Sequence, residues 1–203
     1  MGKSVIENNK KYLQRIELYK SFGYDVQKER NFVIECAQPL YGDILEIGTG
    51  KGYFAVALAQ QGYNFFSVDV SDKEQKFARL NAEHLGVTKQ IDFRIENAQH
   101  LSFENNSFDI IFSVNMIHHL TNPSKVIDEL IRLVSFEGKI ILSDFSKEGL
   151  QVVDQVHRSE GRRHGTTKTT LVQIEKYLLS KNFTIERQKS KFQEIVIAYH
   201  QLI

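Results

Sequence analysis

The stretch "ILEIGTGKGYFAVALA", Ile44 to Ala59, restricts the possible folds more than any other part of the chain. A short apolar run meets a glycine-rich turn, and a run rich in Ala and Leu follows. That order reads as strand, tight turn and helix. Glycine lacks a Cβ and tolerates unusual φ/ψ, so the backbone can approach a ligand closely there. The helix that follows aims its free N–H groups at the same place. Three alternating glycines, Gly48, Gly50 and Gly52, are more than a plain strand-to-helix turn requires.

The rest of the chain repeats the alternation. "NFFSVDV", "QIDFRIE", "SFDIIFSVN" and "GKIILSDF" read as strands. "DKEQKFARLNAEHLG" reads as a helix, as does "NPSKVIDELIRLVS", with Asn122 as cap and Pro123 at the first helical position. After a last helix, "TLVQIEKYLLSKNF", come two more strands, "FTIERQKS" and "KFQEIVIAYH". The few residues between them near Ser190 are too short for a parallel crossover, so this pair is antiparallel. The expected fold class is α/β: a doubly wound sheet, mostly parallel, with an antiparallel C-terminal strand hairpin. Before Pro39, Leu13, Ile16, Tyr19 and Lys20 share helical spacing up to Gly23. Val26, Arg30, Val33 and Ile34 then mark a second helix, which gives an N-terminal helical cap. The 203 residues suffice for a single domain.

The glycine spacing selects among ligands. A P-loop needs four residues between its first glycine and Gly-Lys, then Ser or Thr; here Gly50-Lys51 is followed by Gly52. A dinucleotide fingerprint is G-x-G-x-x-G, whereas this run is G-x-G-x-G. Glu46 precedes the first glycine. Its carboxylate opposes a pyrophosphate and suits a ligand with a cationic amino group.

"LEIGTGKG" resembles motif I of the class I S-adenosylmethionine-dependent methyltransferases, and the likeness extends in order from Asp43 to Phe145. It implies a Rossmann-like sheet and S-adenosylmethionine as cofactor. Asp69, ending "FFSVD", stands where that superfamily keeps an acid for both ribose hydroxyls. Asn97-Ala98 stand where Asp-Ala commonly meets the adenine edge, and Asn97 for Asp is a departure. The resemblance thus implies a cofactor set of Glu46, Gly48, Thr49, Gly50, Asp69, Val70, Asn97, Ala98 and Asn115. It also divides the domain into a cap over 1–40, a cofactor half over 41–145 and a substrate-side segment over 146–203.

The acceptor is less constrained. Methyl transfer from a sulfonium requires positioning more than a strong catalytic group. His119 lies in an Ile-His-His-Leu segment that recurs in the superfamily, and serves either as a catalytic residue or as a structural one. Asp144 falls at the end of the fifth strand, where ligands of open sheets bind. Tyr19, Phe22 and Tyr24 are expected either to form an aromatic lid or to pack on the sheet edge. "VHRSEGRRHG", Val156 to Gly165, falls in the connection after the fifth strand. With Leu150 to Arg163 as one helix, His157 and His164 face the same way but stand about 10.5 Å apart along the axis. A shared metal ion then needs a break at Gly161. Glu160 with His157 or with His164 is the weaker metal alternative, and no metal is assigned. His157 joins His119 as a catalytic candidate. Arg158 and His164 join Tyr19, Tyr24 and Asp144 as substrate candidates, and Arg158, Arg162 and Lys168 suit an anionic acceptor. A solvated loop is the competing reading of this segment.

Composition removes several classes. A formal charge of +1 argues against a dedicated nucleic-acid binder. Cys36 is the single cysteine, so no intrachain disulfide or cysteine zinc site can form. No apolar run nears the roughly 20 residues that span a bilayer, and the first residues lack a secretory h-region. Ile6 stands where a myristoylation motif has Ser or Thr. A cytoplasmic enzyme that methylates a small molecule is the leading expectation. An RNA or protein methyltransferase and a non-catalytic cofactor-binding module are the alternatives.

Overall fold

The computed structural model describes residues 2–201. Two helices, α1 (Lys3–Ser21) and α2 (Val26–Cys36), precede the alternation. There follow β1 (Ile44–Ile47), α3 (Tyr53–Gln60), β2 (Phe65–Asp69), α4 (Asp72–His84), β3 (Ile91–Ile95) and β4 (Phe108–Val114). The chain continues with α5 (Pro123–Leu133), β5 (Val134–Phe145), α6 (Lys147–Ser159), α7 (Leu171–Ser180), β6 (Phe183–Lys189) and β7 (Gln193–His200).

Among the described residues, seven strands form one sheet in the order β3-β2-β1-β4-β5-β7-β6. β1 to β5 run parallel, and β7 is antiparallel to both β5 and β6. Strand alternation sends side chains to two faces. Ile44, Ile110 and Phe112 pack with Val33 and Ile34 of α2 and with the small apolar residues of α3. Leu45, Ile47 and Ile111 pack on the opposite face with Ile127 and Leu130 of α5 and Ile174 and Leu178 of α7. A third cluster joins Tyr19, Tyr24 and Val26 to Val152, Val153 and Val156 of α6 and to Phe192. It fixes the N-terminal helices and α6 to each other beside the sheet.

Capping sets several helix starts. Ser71 accepts from Glu74 N and Ser146 from Gly149 N, while Thr170 and Gln173 form a reciprocal capping box. Asn122 holds the cap position of α5, as expected, but its side chain makes no capping bond; it lines a cleft instead. Helix α5 stops at Leu133, and Val134 already pairs with Phe108, so β5 starts earlier than its sequence suggests.

The largest correction concerns α6. It ends at Ser159 rather than reaching Arg163. Gly161, at φ +69°, turns the chain there, and Arg162 N returns to His157 O at 2.8 Å. The following segment then lies on the β4 exit loop, where Thr167 N donates to His118 O at 2.7 Å.

Candidate active site

The sheet order reverses direction between β1 and β4, and a crevice opens outside the strand ends at such a point. Gly48 N and Thr49 N both donate to Val68 O, which binds the glycine loop to β2. Gly52 has φ +80°, and a Cβ there would stand 2.7 Å from Ala78 Cβ. That close approach seats α3 against α4. Gly50, at φ +51°, has open space where its Cβ would be. The loop therefore presents bare backbone to the crevice.

Asp69 ends β2 at the crevice floor. Its Oδ2 accepts from Gly50 N at 2.7 Å and its Oδ1 from Ser71 N at 2.8 Å. A carboxylate has about four acceptor sites, so two bonds hold it and others stay available. The crevice is a cleft of about 580 Å³ lined by Gly48, Gly50, Asp69, Val70, Asn97, Ala98, Asn115 and His119. Val70 is 73% exposed beside Asp69, an apolar surface suited to a ring face. Sequence reasoning missed Met116, Leu120 and Gln99 on the cleft walls. They are ordinary residues that only the loop geometry brings to the cleft.

Two expected cofactor contacts sit beneath the loop instead. Gln75 Nε2 reaches Thr49 Oγ1 at 3.2 Å, Thr49 and Ser67 hydroxyls are 2.6 Å apart, and Ser67 Oγ donates to Glu46 at 2.5 Å. An ionised carboxylate only accepts, so the donors run from Gln75 through Thr49 and Ser67 to Glu46. Thr49 is buried and its hydroxyl is occupied by this chain. Glu46 is buried too, and burial pushes its carboxyl up to about 7, with the Asp69 charge adding to the rise against the Ser67 bond. Both residues border a second cavity rather than the cleft.

That second cavity holds about 200 Å³. Tyr19, Arg30, Tyr53, Phe145, His118, His119, His157 and His164 enclose it, and it shares Gly48, Gly50, Asn115 and His119 with the cleft. Asn115 adopts φ +56° at the exit of β4, held by Asn115 N to Ser143 O at 2.8 Å. With its amide turned to satisfy its neighbours, its oxygen meets Arg30 Nη2 at 2.7 Å. Arg30 was legible only as an arginine within the apolar stripe of α2. Tyr53 was legible as the aromatic directly after "GTGKG", and neither was chosen.

The histidines converge. His118 Nδ1 lies 2.6 Å from Asp144 Oδ1, and His118 N donates to Asp144 Oδ2 at 2.9 Å. His164 Nδ1 lies 3.3 Å from Asp154 Oδ1, and the Nε2 atoms of His118 and His164 are 3.2 Å apart. The His157 and His164 rings are 4.8 Å apart between centroids. Burial, reinforced by His118 and His164, pushes His119 down to about 4. Burial with His164 and Arg162 does the same to His157, also to about 4. Both rings are therefore neutral near pH 7. His157 Nδ1 is buried and finds no hydrogen-bond partner among the described residues.

Several sequence expectations are relocated. Tyr24 is 1% exposed and packs on Tyr19, Phe145 and Phe192, so it belongs to the core rather than to the cavity wall. Phe22 is exposed at the end of α1, away from the cavity, and of the three only Tyr19 lines it. Asp144 is buried behind His118 and orients it, since its oxygens are taken by His118 and by Phe145 N. Arg158 is exposed and faces away from the cavity. Arg162 and Arg15 both pair with Glu160, which removes Glu160 from the metal alternatives. Lys168 borders a separate groove near Pro123. Arg30 and Lys51 are the cations on the cavity wall.

Comparison with known proteins bears on the fold and the domain. A family model described as a methyltransferase domain matches residues 45–142. That match covers just under half of the chain. A mitochondrial ubiquinone biosynthesis O-methyltransferase of Arabidopsis thaliana is 33% identical over 112 residues, 55% of this chain and 35% of that protein. The ubiquinone biosynthesis O-methyltransferase of Pseudomonas aeruginosa is 30% identical over 118 residues, 58% of this chain and 50% of its own length. The chain thus spans a third to a half of these curated relatives. A crystal structure from Pyrococcus horikoshii OT3 has TM-score 0.74 at 18% identity, covering 94% of this chain and 99% of that one. A methyltransferase structure from Aquifex aeolicus has TM-score 0.66 at 20% identity, covering 83% and 88%. Such likeness shows the fold. The residues present fit S-adenosylmethionine as a cofactor: the free acceptor capacity of Asp69, the bare backbone at Gly50 and the apolar surface of Val70 all face one cleft. No described helix is long and apolar enough to cross a membrane.

Proposed function

We propose that this chain transfers a methyl group from S-adenosylmethionine to a small-molecule nucleophile. One observation carries the proposal: the cleft with Asp69 and the cavity with the histidines meet at Gly48, Gly50, Asn115 and His119. A donor in the first and an acceptor in the second would share that seam. When bound, S-adenosylmethionine supplies a methyl group already activated by its positive sulfur. Asp69 would hold the ribose hydroxyls, Val70 and Asn97-Ala98 the adenine, and the Gly48–Gly50 backbone the methionine portion. Residues 41–145 then form the cofactor half, residues 146–203 close the acceptor side, and the 1–40 cap covers it with Tyr19.

The chain's own groups suit the acceptor role. His119, neutral and shared by both cavities, is placed to take a proton from the nucleophile. His157 adds a second neutral ring to the same cavity wall. Arg30 and Lys51 favour an acceptor with negative charge, in place of Arg158 and Lys168. A cavity of about 200 Å³ favours a small acceptor over RNA or protein. The lone, unpaired Cys36 fits a cytoplasmic setting.

A second reading keeps support. A structural neighbour with TM-score 0.69 at 16% identity is named a [4+2]-cyclase, so this fold also hosts proteins named for other reactions. Methyl turnover on a panel of hydroxyl, thiol, amine and carboxylate acceptors separates the readings. Transfer to one class supports the enzyme. Tight donor binding with no turnover on any class favours a chain that binds the cofactor without transferring its methyl group.

A further inference from the structure

The three histidines at the seam are arranged as ligands. We propose that His118, His119 and His164 form a binding site for one divalent ion of the zinc class, with an open coordination position facing the acceptor cavity. One ring nitrogen from each lies within 4.8 Å of the others. Glu160, the weak alternative from sequence, is committed to Arg15 and Arg162.

The tautomers make the case. The Nδ1 atoms of His118 and His164 both face carboxylates, at 2.6 and 3.3 Å. Ionised carboxylates only accept, so both Nδ1 atoms carry protons. A ring whose single proton sits on Nδ1 has a bare lone pair at Nε2, and the two Nε2 atoms face each other at 3.2 Å. Two lone pairs so placed repel unless a cation lies between them. An ion about 2.0–2.1 Å from two nitrogens at a tetrahedral angle sets them about 3.4 Å apart, close to this separation.

The outer contacts fit as well. Metal-bound histidines almost always give their other ring N–H to a carboxylate or a backbone carbonyl, which fixes the ring. Asp144 stands behind His118, Asp154 behind His164, and His119 is hydrogen-bonded to the backbone of Gly165. All three ligand rings line the small cavity. Three protein ligands with one open position is the pattern of a reactive rather than a structural zinc site. Imidazole donors suit Zn²⁺ and Co²⁺, and not the oxygen-seeking Mg²⁺. With the ion bound, His119 is a ligand and no longer takes the proton, and the open position would take a heteroatom of the acceptor instead; that role rests on the methyl-transfer reading, and metal binding itself does not.

Co²⁺ titration of tag-free, chelator-treated protein tests the site. The expected result is one Co²⁺ per chain with the visible absorption of a four- or five-coordinate ion, displaced by Zn²⁺ and not by excess Mg²⁺. His164→Asn and His119→Asn should each abolish that spectrum. Asp144→Asn should weaken the affinity about 10- to 100-fold. Circular dichroism verifies that each variant is folded, and His164, on a loop, is the safer substitution. Only the spectrum of hydrated Co²⁺ with the unmodified protein would overturn the proposal, as would undiminished binding by both histidine variants. A His118–His164 pair that merely shares a proton gives the first of these results. S-adenosylmethionine binding, measured on the same metal-free protein, separates failure of this site from failure of the methyl-transfer reading.

Discussion

Asp69 carries the most specific residue-level expectation. Its carboxylate is held by Gly50 N and Ser71 N and keeps acceptor capacity toward the cleft. Hydrogen bonds to charged groups contribute about 1.5–3 kcal/mol each. Asp69→Ala should therefore weaken S-adenosylmethionine binding by about 10- to 100-fold in calorimetry, with the fold retained. Affinity equal to that of the unmodified protein would remove Asp69 from the site. Glu46 gives a pH-dependent expectation. Its folded value of about 7 lies above the ordinary 4.5, mainly through burial. Between those values the folded protein holds a proton that the unfolded chain has lost. The contribution is complete below the unfolded value and disappears as pH rises through about 7. Urea midpoints should accordingly fall over that range, and Glu46→Gln should flatten the fall. An equally steep fall in the variant would assign the effect elsewhere.

At the level of elements, two devices place the site. The first is the glycine loop seated on α4. Gly52→Ala would combine an unfavourable positive φ with a methyl 2.9 Å from Ala78 Cα. Strain and overpacking of that kind cost about 1–3 kcal/mol each. At about 2–4 °C per kcal/mol for a chain of this size, calorimetric melting should drop by several degrees. An unchanged melting temperature would mean that α3 and α4 separate freely. The second is the turn after α6, which Glu160 ties to Arg15 of α1. Arg15→Met should raise amide hydrogen exchange across residues 158–166 and leave β4 and β5 protected. Exchange unchanged in that turn would show that the tie does not hold it.

At the level of the whole molecule, the sequence exposes the parts that are local. The strand "ILEI", the glycine turn and the Ala-rich helix lie within seventeen residues, so motif and geometry coincide. The antiparallel C-terminal pair follows from a connection too short for anything else, and the sheet has it. Asp69 and Asn97 end or follow strands at the crevice and line one cleft there, as their places in the sequence suggest. The acceptor side was not, because it is assembled across distance. His118 and His164 meet from 46 positions apart, through a turn at Gly161 that a continued helix would have prevented. Tyr24 and Asp144 were polar and well placed in sequence, yet burial assigns one to the core and the other to the support of His118. Arg30 falls within the apolar spacing of α2, and nothing in that spacing points to the cavity it lines.

A crystal structure of the chain with S-adenosylhomocysteine bound tests the central claim most directly. The account predicts both ribose hydroxyls on Asp69, the adenine between Val70 and Asn97-Ala98, and the sulfur directed through the Asn115–His119 seam at the histidine-lined cavity. A sulfur directed away from that cavity, or a nucleoside lodged outside the Asp69 cleft, would contradict it.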